Sequence, residues 1–280
     1  MVSSGTIIAV CITLFISLVL PVIVYIAYGV KNKGKGVWTA WLLGAAGFFV
    51  LQVIIRMPIL SVLSLSDGFI SFATNHYILY CLVLALTAAL FEVVGRYAVA
   101  KLMSKNLTFE RGIAAGLGHG GIEAMIIVGM TYINNLVYIA MINSGSFDLV
   151  VEQTAALGVD TASLVAVKET LINSSSVIFL LAGYERILTM ILHVVLSLLV
   201  CYFVSQKKDL MGILICVPCH WLVDFVSPLI SGMATGYLGN VIGTTTSYVM
   251  IYIFLTVVAV VSVLGILKIK KQWKRAGSTL

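Results

Sequence analysis

Charge is the scarcest commodity in this sequence. Asp, Glu, Lys and Arg together make up 10 % of its 280 residues, against about 25 % in soluble domains. Hydrophobic residues make up 61 %. So little charge cannot cover so much apolar surface in water, which excludes a soluble enzyme and a disordered chain. Cysteine is sparse too. Cys11, Cys81, Cys201, Cys216 and Cys219 are scattered through apolar stretches without a framework spacing, which excludes a secreted disulfide scaffold. Low-complexity tracts, a clear repeat and a polar soluble domain are also missing. What is present is a mean hydropathy of +1.11, the signature of a chain whose solvent is largely a bilayer. The expectation is one transmembrane domain over residues 1–280.

A helix crosses the hydrocarbon with about 20 apolar residues. Seven runs meet that length, near 5–30, 37–61, 77–103, 112–142, 184–204, 209–230 and 241–267. The expected fold class is therefore all-α, a polytopic membrane protein. The first run is too long for a signal-peptide core and has no basic residue before it, so it reads as a retained helix. Thirteen basic residues fall on one side: Lys31, Lys33, Lys35, Lys101, Lys105, Arg111, Lys207, Lys208, Lys268, Lys270, Lys271, Lys274 and Arg275. The other side has Lys168, with Arg56 and Arg186 at or near helix ends. This asymmetry predicts an outside N-terminus and a cytoplasmic C-terminus. The net charge of +6 follows from those loops, suits anionic lipid headgroups and calls for no nucleic acid. An outer segment, 143–183, is long for a loop. Asp160 and Thr161 can cap a short helix there that runs toward Asn173.

The informative residues are the polar ones carried into the membrane. Glu92 and Arg96 sit in run three, His119 and Glu123 in run four, His193 in run five, His220 and Asp224 in run six. A charge near a helix centre costs about 2.5–3.5 kcal/mol on the insertion scale, so each needs a partner or a use. Glu92/Arg96, His119/Glu123 and His220/Asp224 are i,i+4 pairs, and each pair shares one helix face. Gly112, Gly116 and Gly120 recur on the side of run four that bears His119, Glu123 and Asn134, so a neighbouring helix can approach that polar face closely.

Such residues can do chemistry in two ways. A carboxylate beside histidines in a low-dielectric cavity activates water as a general base, while a second histidine stabilises an oxyanion. Alternatively His119, Glu123, His193 and His220 form a zinc set with water at an open position. Outside hydrolysis, the same groups suit a metal-ion or proton-coupled transporter, or merely the hydrogen bonds of a non-catalytic scaffold or immunity protein.

The Glu-xxx-Arg of run three, the GHxxxE of run four, the lone histidine of run five and the HxxxD of run six resemble the YhfC family of intramembrane proteases, within the wider clan of CAAX-prenyl-protease-like (ABI) membrane proteins. The resemblance is carried by a four-helix core, residues 77–230. It implies an intramembrane endopeptidase, metallo- or glutamic-type, acting on membrane proteins or peptides. It implies Glu92 as the water-activating base, Arg96 as its structural partner, His119 as assistant, and His220 and Asp224 on the oxyanion side. The chain departs from the wider clan at Phe91, where a first glutamate would stand, and at Ala115, where an aromatic would stand. Glu123 and His193 are extra polar groups that fit the YhfC branch. The resemblance leaves open both a zinc-bound and a metal-free mechanism, and it does not fix an oligomeric state. Cys216-Val217-Pro218-Cys219-His220 spells a haem-attachment pattern, but inside a membrane helix it reads as coincidence.

Overall fold

The computed structural model describes residues 1–277, and all regular structure among them is helical. In chain order the elements are α1 Ser4–Lys31, α2 Val37–Leu63, α3 Asp67–Asn75, α4 Tyr77–Leu102, α5 Phe109–Ser144, α6 Phe147–Ala156, α7 Ala162–Asn173, α8 Ser176–Ser205, α9 Asp209–Gly232 and α10 Thr244–Gly277. Among the described residues, seven of these helices are long and apolar enough to cross a bilayer: α1, α2, α4, α5, α8, α9 and α10. They are the seven runs read from the sequence. The fifth begins at Ser176 rather than near 184, because the apolar stretch Val177–Ala182 keeps the helix going ahead of the Glu185-Arg186 charges. The outer segment shortens accordingly and folds into α6 and α7. The helix anticipated toward Asn173 is there; the backbone N–H of Ala162 at its start donates to Asp160 Oδ1 at 2.9 Å, while the side chain of Thr161, at the N-cap, makes no capping bond. The short α3 was not anticipated.

Three spans contain a π-helical turn: Phe15–Val19 in α1, Phe49–Arg56 in α2 and Ala124–Gly129 in α5. Such a turn takes in an extra residue and rotates everything beyond it relative to a straight α-helix. This corrects one expectation. Asn134 does not continue the polar face of His119 and Glu123, because the Ala124–Gly129 turn intervenes, and Asn134 is exposed.

The chain divides into two compact units. One comprises residues 1–23 and 124–187. Its core gathers Val10, Tyr132, Ile139, Phe147, Leu171 and Phe179. Two donors converge on one backbone oxygen there: Thr13 Oγ1 and Tyr132 Oη both donate to Phe179 O, at 2.6 and 3.0 Å.

The other unit comprises residues 24–123 and the described residues from 188 onward, and all seven site residues named above lie in it. Its core gathers Val37, Val93, Met103, Ala115, Leu198, Cys201 and Cys216. Helices meet here at backbone contact. A Cβ on Gly44 of α2 would stand 2.0 Å from Ala115 O of α5, and one on Gly118 would stand 2.0 Å from Trp41 O. On another face of α5, a Cβ on Gly116 would lie 2.5 Å from Val194 Cα of α8, and Gly112 and Gly120 abut Leu198 and His193. The glycine stripe therefore does what small residues do in membrane interfaces, admitting a neighbouring backbone. Polar side chains on α5 are thereby brought within hydrogen-bond reach of those on α8.

Candidate active site

Glu92 lies at the centre of the cluster. It shares one turn-face of α4 with Arg96, and Arg96 Nη2 donates to Glu92 Oε2 at 3.1 Å. His119 of α5 brings Nε2 to 3.0 Å from the same oxygen. His220 Nε2 of α9 stands 3.5 Å from it and His193 Nδ1 of α8 stands 3.8 Å from it. A carboxylate only accepts, so His119 presents a proton at Nε2. Glu92, Arg96, His119, His193 and His220 are all at most 4 % exposed.

Arg96 does more than neutralise Glu92. Its Nη2 donates to His193 Nδ1 at 2.6 Å and its Nη1 to His220 Nδ1 at 3.4 Å. Guanidinium can only donate, so these ring nitrogens accept, and the one proton of each neutral ring sits on Nε2. His193 Nε2 is 2.7 Å from Glu123 Oε2. His220 Nε2 is 3.4 Å from Asp224 Oδ2. The rings also pack on one another: His119 stacks on His193 with centroids 5.1 Å apart, and His193 meets His220 edge-on at 5.6 Å. Phe48 of α2 closes the other side of His119 edge-on at 5.1 Å.

The seven ionisable residues Glu92, Arg96, His119, Glu123, His193, His220 and Asp224 are thus in one cluster, but not at one depth. Asp224 is the most open, with 32 % of its side chain exposed, and Glu123 follows at 14 %. A small cavity lined by Arg96, His119, Ser197 and Cys201 adjoins the cluster and has room for about one water. Cys216 takes no part in the cluster; its thiol is buried against Leu196 O at 3.8 Å, and Cys219 is exposed.

Two residues of the cluster were not singled out from the sequence as site residues. Gln52 lies in the π-helical turn of α2, buried, and its Nε2 donates to Glu92 Oε1 at 2.6 Å. Arg56, expected at or near a helix end, reaches α4, where its Nη2 donates to Leu84 O at 2.8 Å. Its charge acts on both Glu92 and Asp224. The signal in the sequence was an i,i+4 Gln/Arg pair inside an apolar run.

The donors suit a metal ion in kind and number. One ligand atom each from Glu92, His119, Glu123 and His193 can be chosen so that all lie within 4.8 Å of one another, buried for the most part. Imidazole nitrogens and carboxylate oxygens are zinc's usual partners. Three of the four residues expected as ligands belong to this group, with Glu92 in the place of His220. Three carboxylates, Glu92, Glu123 and Asp224, gather here with two guanidiniums, Arg56 and Arg96.

Fold and site together define a polytopic helical membrane protein with a buried carboxylate–imidazole centre. The comparisons place it more narrowly. The family model described as YhfC intramembrane metalloprotease matches residues 16–242. A relative from Bacillus subtilis (strain 168), described as an uncharacterized membrane protein YhfC, is 30 % identical over 211 residues, covering 75 % of this chain and 80 % of the relative. The chain belongs to the YhfC intramembrane metalloprotease family. No solved structure matches it.

Proposed function

We propose that the protein is an intramembrane endopeptidase that hydrolyses peptide bonds of membrane proteins or membrane-bound peptides. The observation that carries this reading is the buried Glu92 carboxylate, touched by His119, His220 and Arg96 at 3.0–3.5 Å, with Glu123 and His193 alongside. A carboxylate so placed takes a proton from water, provided a neighbouring group holds the water and another receives the developing oxyanion.

His119, Glu123 and His193 would hold a zinc ion, the two-imidazole, one-carboxylate set of many catalytic zinc sites. Bound there, zinc supplies Lewis acidity to a water and to a carbonyl oxygen. Glu92 is then the base. Arg96 pairs with Glu92, and His220, steadied by Asp224, faces the carbonyl oxygen of the substrate. To ligate through Nε2, His193 must move its proton to Nδ1 and part from Arg96 Nη2, because a ring with both nitrogens engaged as acceptor and ligand would be an anion. That same contact, 2.6 Å long, favours a second reading in which Glu92 and His119 activate water without a metal. The lysine and arginine distribution supports a cytoplasmic C-terminus, with the lysine-rich loops on the same side.

The test is bound metal together with cleavage. The protein is purified in mild detergent without a histidine tag and its metal content measured by elemental analysis, beside His119→Ala, Glu123→Gln and His193→Ala. Membrane-protein fragments are compared in cells carrying wild type and Glu92→Gln. About one zinc per chain, lost in the variants, with fragments lost in Glu92→Gln, is the expected result. Fragments dependent on Glu92 with no metal in folded protein point to the metal-free mechanism. Fragments indistinguishable between the two strains refute the peptidase reading.

A further inference from the structure

Gln52 is a neutral residue in an apolar span, and nothing in the motifs of the site calls for it. Its surroundings do. A buried primary amide without partners costs several kcal/mol, yet here both ends are engaged. Nε2 donates to Glu92 Oε1 at 2.6 Å, and Oε1 accepts from Arg56 Nη1 at 3.4 Å. The orientation of the amide is fixed by chemistry on both sides. Carboxylate only accepts and guanidinium only donates, so a flipped amide would set oxygen against oxygen and nitrogen against nitrogen. Arg56 is itself tied down, to Leu84 O at 2.8 Å and to Thr87 Oγ1 at 3.2 Å. Leu84, Thr87 and Glu92 are all on α4. The helix that bears the central carboxylate therefore grips it a second time, through two side chains of α2, and both of those side chains lie in the π-helical turn Phe49–Arg56.

The consequence is a division of labour between the two carboxylate oxygens. Oε1 is committed to Gln52. Every contact with the imidazoles and with Arg96, at 3.0, 3.1, 3.5 and 3.8 Å, is made by Oε2. We infer that Gln52 is the positioning residue of the site: by holding Oε1 it fixes the rotation of the Glu92 carboxylate, so that Oε2 alone faces the histidines. The inference rests on the reading of Glu92 as the working carboxylate. It gives α2, which bears none of the motif residues, a part in the chemistry.

The test uses two variants in the full-length protein reconstituted in nanodiscs. Gln52→Met keeps the length and removes the donor; Gln52→Asn keeps the donor but is one methylene too short. Infrared spectra are recorded on protein stripped with chelator, and the Glu92 carboxylate bands are identified by their absence in Glu92→Gln. Shifted Glu92 bands in either folded variant are expected, and bands unchanged from wild type in a folded variant overturn the inference. Thermal unfolding establishes which variants fold, and Gln52→Asn carries the test if Gln52→Met does not. Zinc affinity of the wild-type protein is measured in parallel by competition with a chromophoric chelator. Wild-type protein that takes up no zinc refutes the metal-bound reading of the site, while the infrared comparison still decides the role of Gln52.

Discussion

Replacing Arg96 by methionine keeps most of the volume and removes the one group that touches Glu92, His193 and His220 together. The side chains of Arg96 and Glu92 are 1 % and 6 % exposed, so neither charge can turn to water when its partner goes. Breaking a buried pair from one side costs about 3–5 kcal/mol, because the remaining charge is left uncompensated. Gln52 and His119 still reach Glu92 after Arg96→Met, which argues for the lower end, about 3 kcal/mol. Glu92→Gln keeps an acceptor for Arg96 but leaves its charge uncompensated, and should lose a similar amount. Independent effects would add to about 6 kcal/mol in the double variant. If the pair is one unit, the double variant removes both charges and should lose little more than either single, a coupling of about 3 kcal/mol. Ordinary interhelical hydrogen bonds in membrane proteins couple by about 0.6 kcal/mol on average, so a value near 3 would set this pair apart from general polar packing. The assay is reversible unfolding of the four proteins in mixed micelles, and it needs no substrate. Single effects that add to within about 0.5 kcal/mol would refute the reasoning.

Gly44→Ala forces α2 away from the Ala115 carbonyl, which a Cβ would approach to 2.0 Å; it should lose about 1–3 kcal/mol or more and lower zinc uptake by shifting His119, whereas Gly243→Ala, with open space around its Cβ, should leave the melting temperature unchanged. Asp224 is partly exposed and its one close contact with His220 is long, at 3.4 Å, so Asp224→Asn should leave thermal unfolding at the wild-type value and reduce cleavage; a large loss of stability would show that Asp224 is structural. With the exposed Cys11 and Cys219 replaced by serine, Lys168→Cys should react with a membrane-impermeant maleimide on intact cells and Lys271→Cys only after permeabilisation. The opposite pattern overturns the orientation argued from the basic residues.

The seven spans were legible because hydropathy over twenty residues is a bulk property, insensitive to the local geometry of any one turn. Glu92, Arg96, His119, Glu123, His193, His220 and Asp224 were legible for a related reason: an ionisable residue inside an apolar run is expensive, and its cost is visible without a structure. Gln52 has no formal charge, so the same reasoning passes over it. Arg56 was read only as lying at or near a helix end, among the basic residues that set orientation, and the backbone continues as helix to Leu63. Asn134 was misplaced for a geometric reason. An i,i+4 count assumes an unbroken α-helix, and the π-helical turn Ala124–Gly129 changes the face on which every later residue emerges. The glycine repeat announced close approach on α5, but not that Gly118, outside that repeat, abuts α2, since one sequence does not say which helix lies on which side.

One side-chain pair on α4 ties this unit together. Through Glu92 and Arg96, α4 is hydrogen-bonded to α2 by Gln52, to α5 by His119, and to α8 and α9 by His193 and His220. In lipid there is little hydrophobic force to hold helices together, since the tails are as apolar as the side chains. Polar contacts and close packing must do that instead, and here the polar contacts are the site. It follows that loss of activity on changing Arg96 or His119 does not by itself identify a chemical role, because either change loosens several helix pairs at once. Glu92→Gln is the cleaner probe. Its amide oxygen can still accept from Arg96 and His119, so it holds most of the contacts while giving up the basicity that proton transfer needs. A variant that stays folded despite its loss of stability, still binds zinc and no longer cleaves would separate the chemistry of Glu92 from its part in assembly.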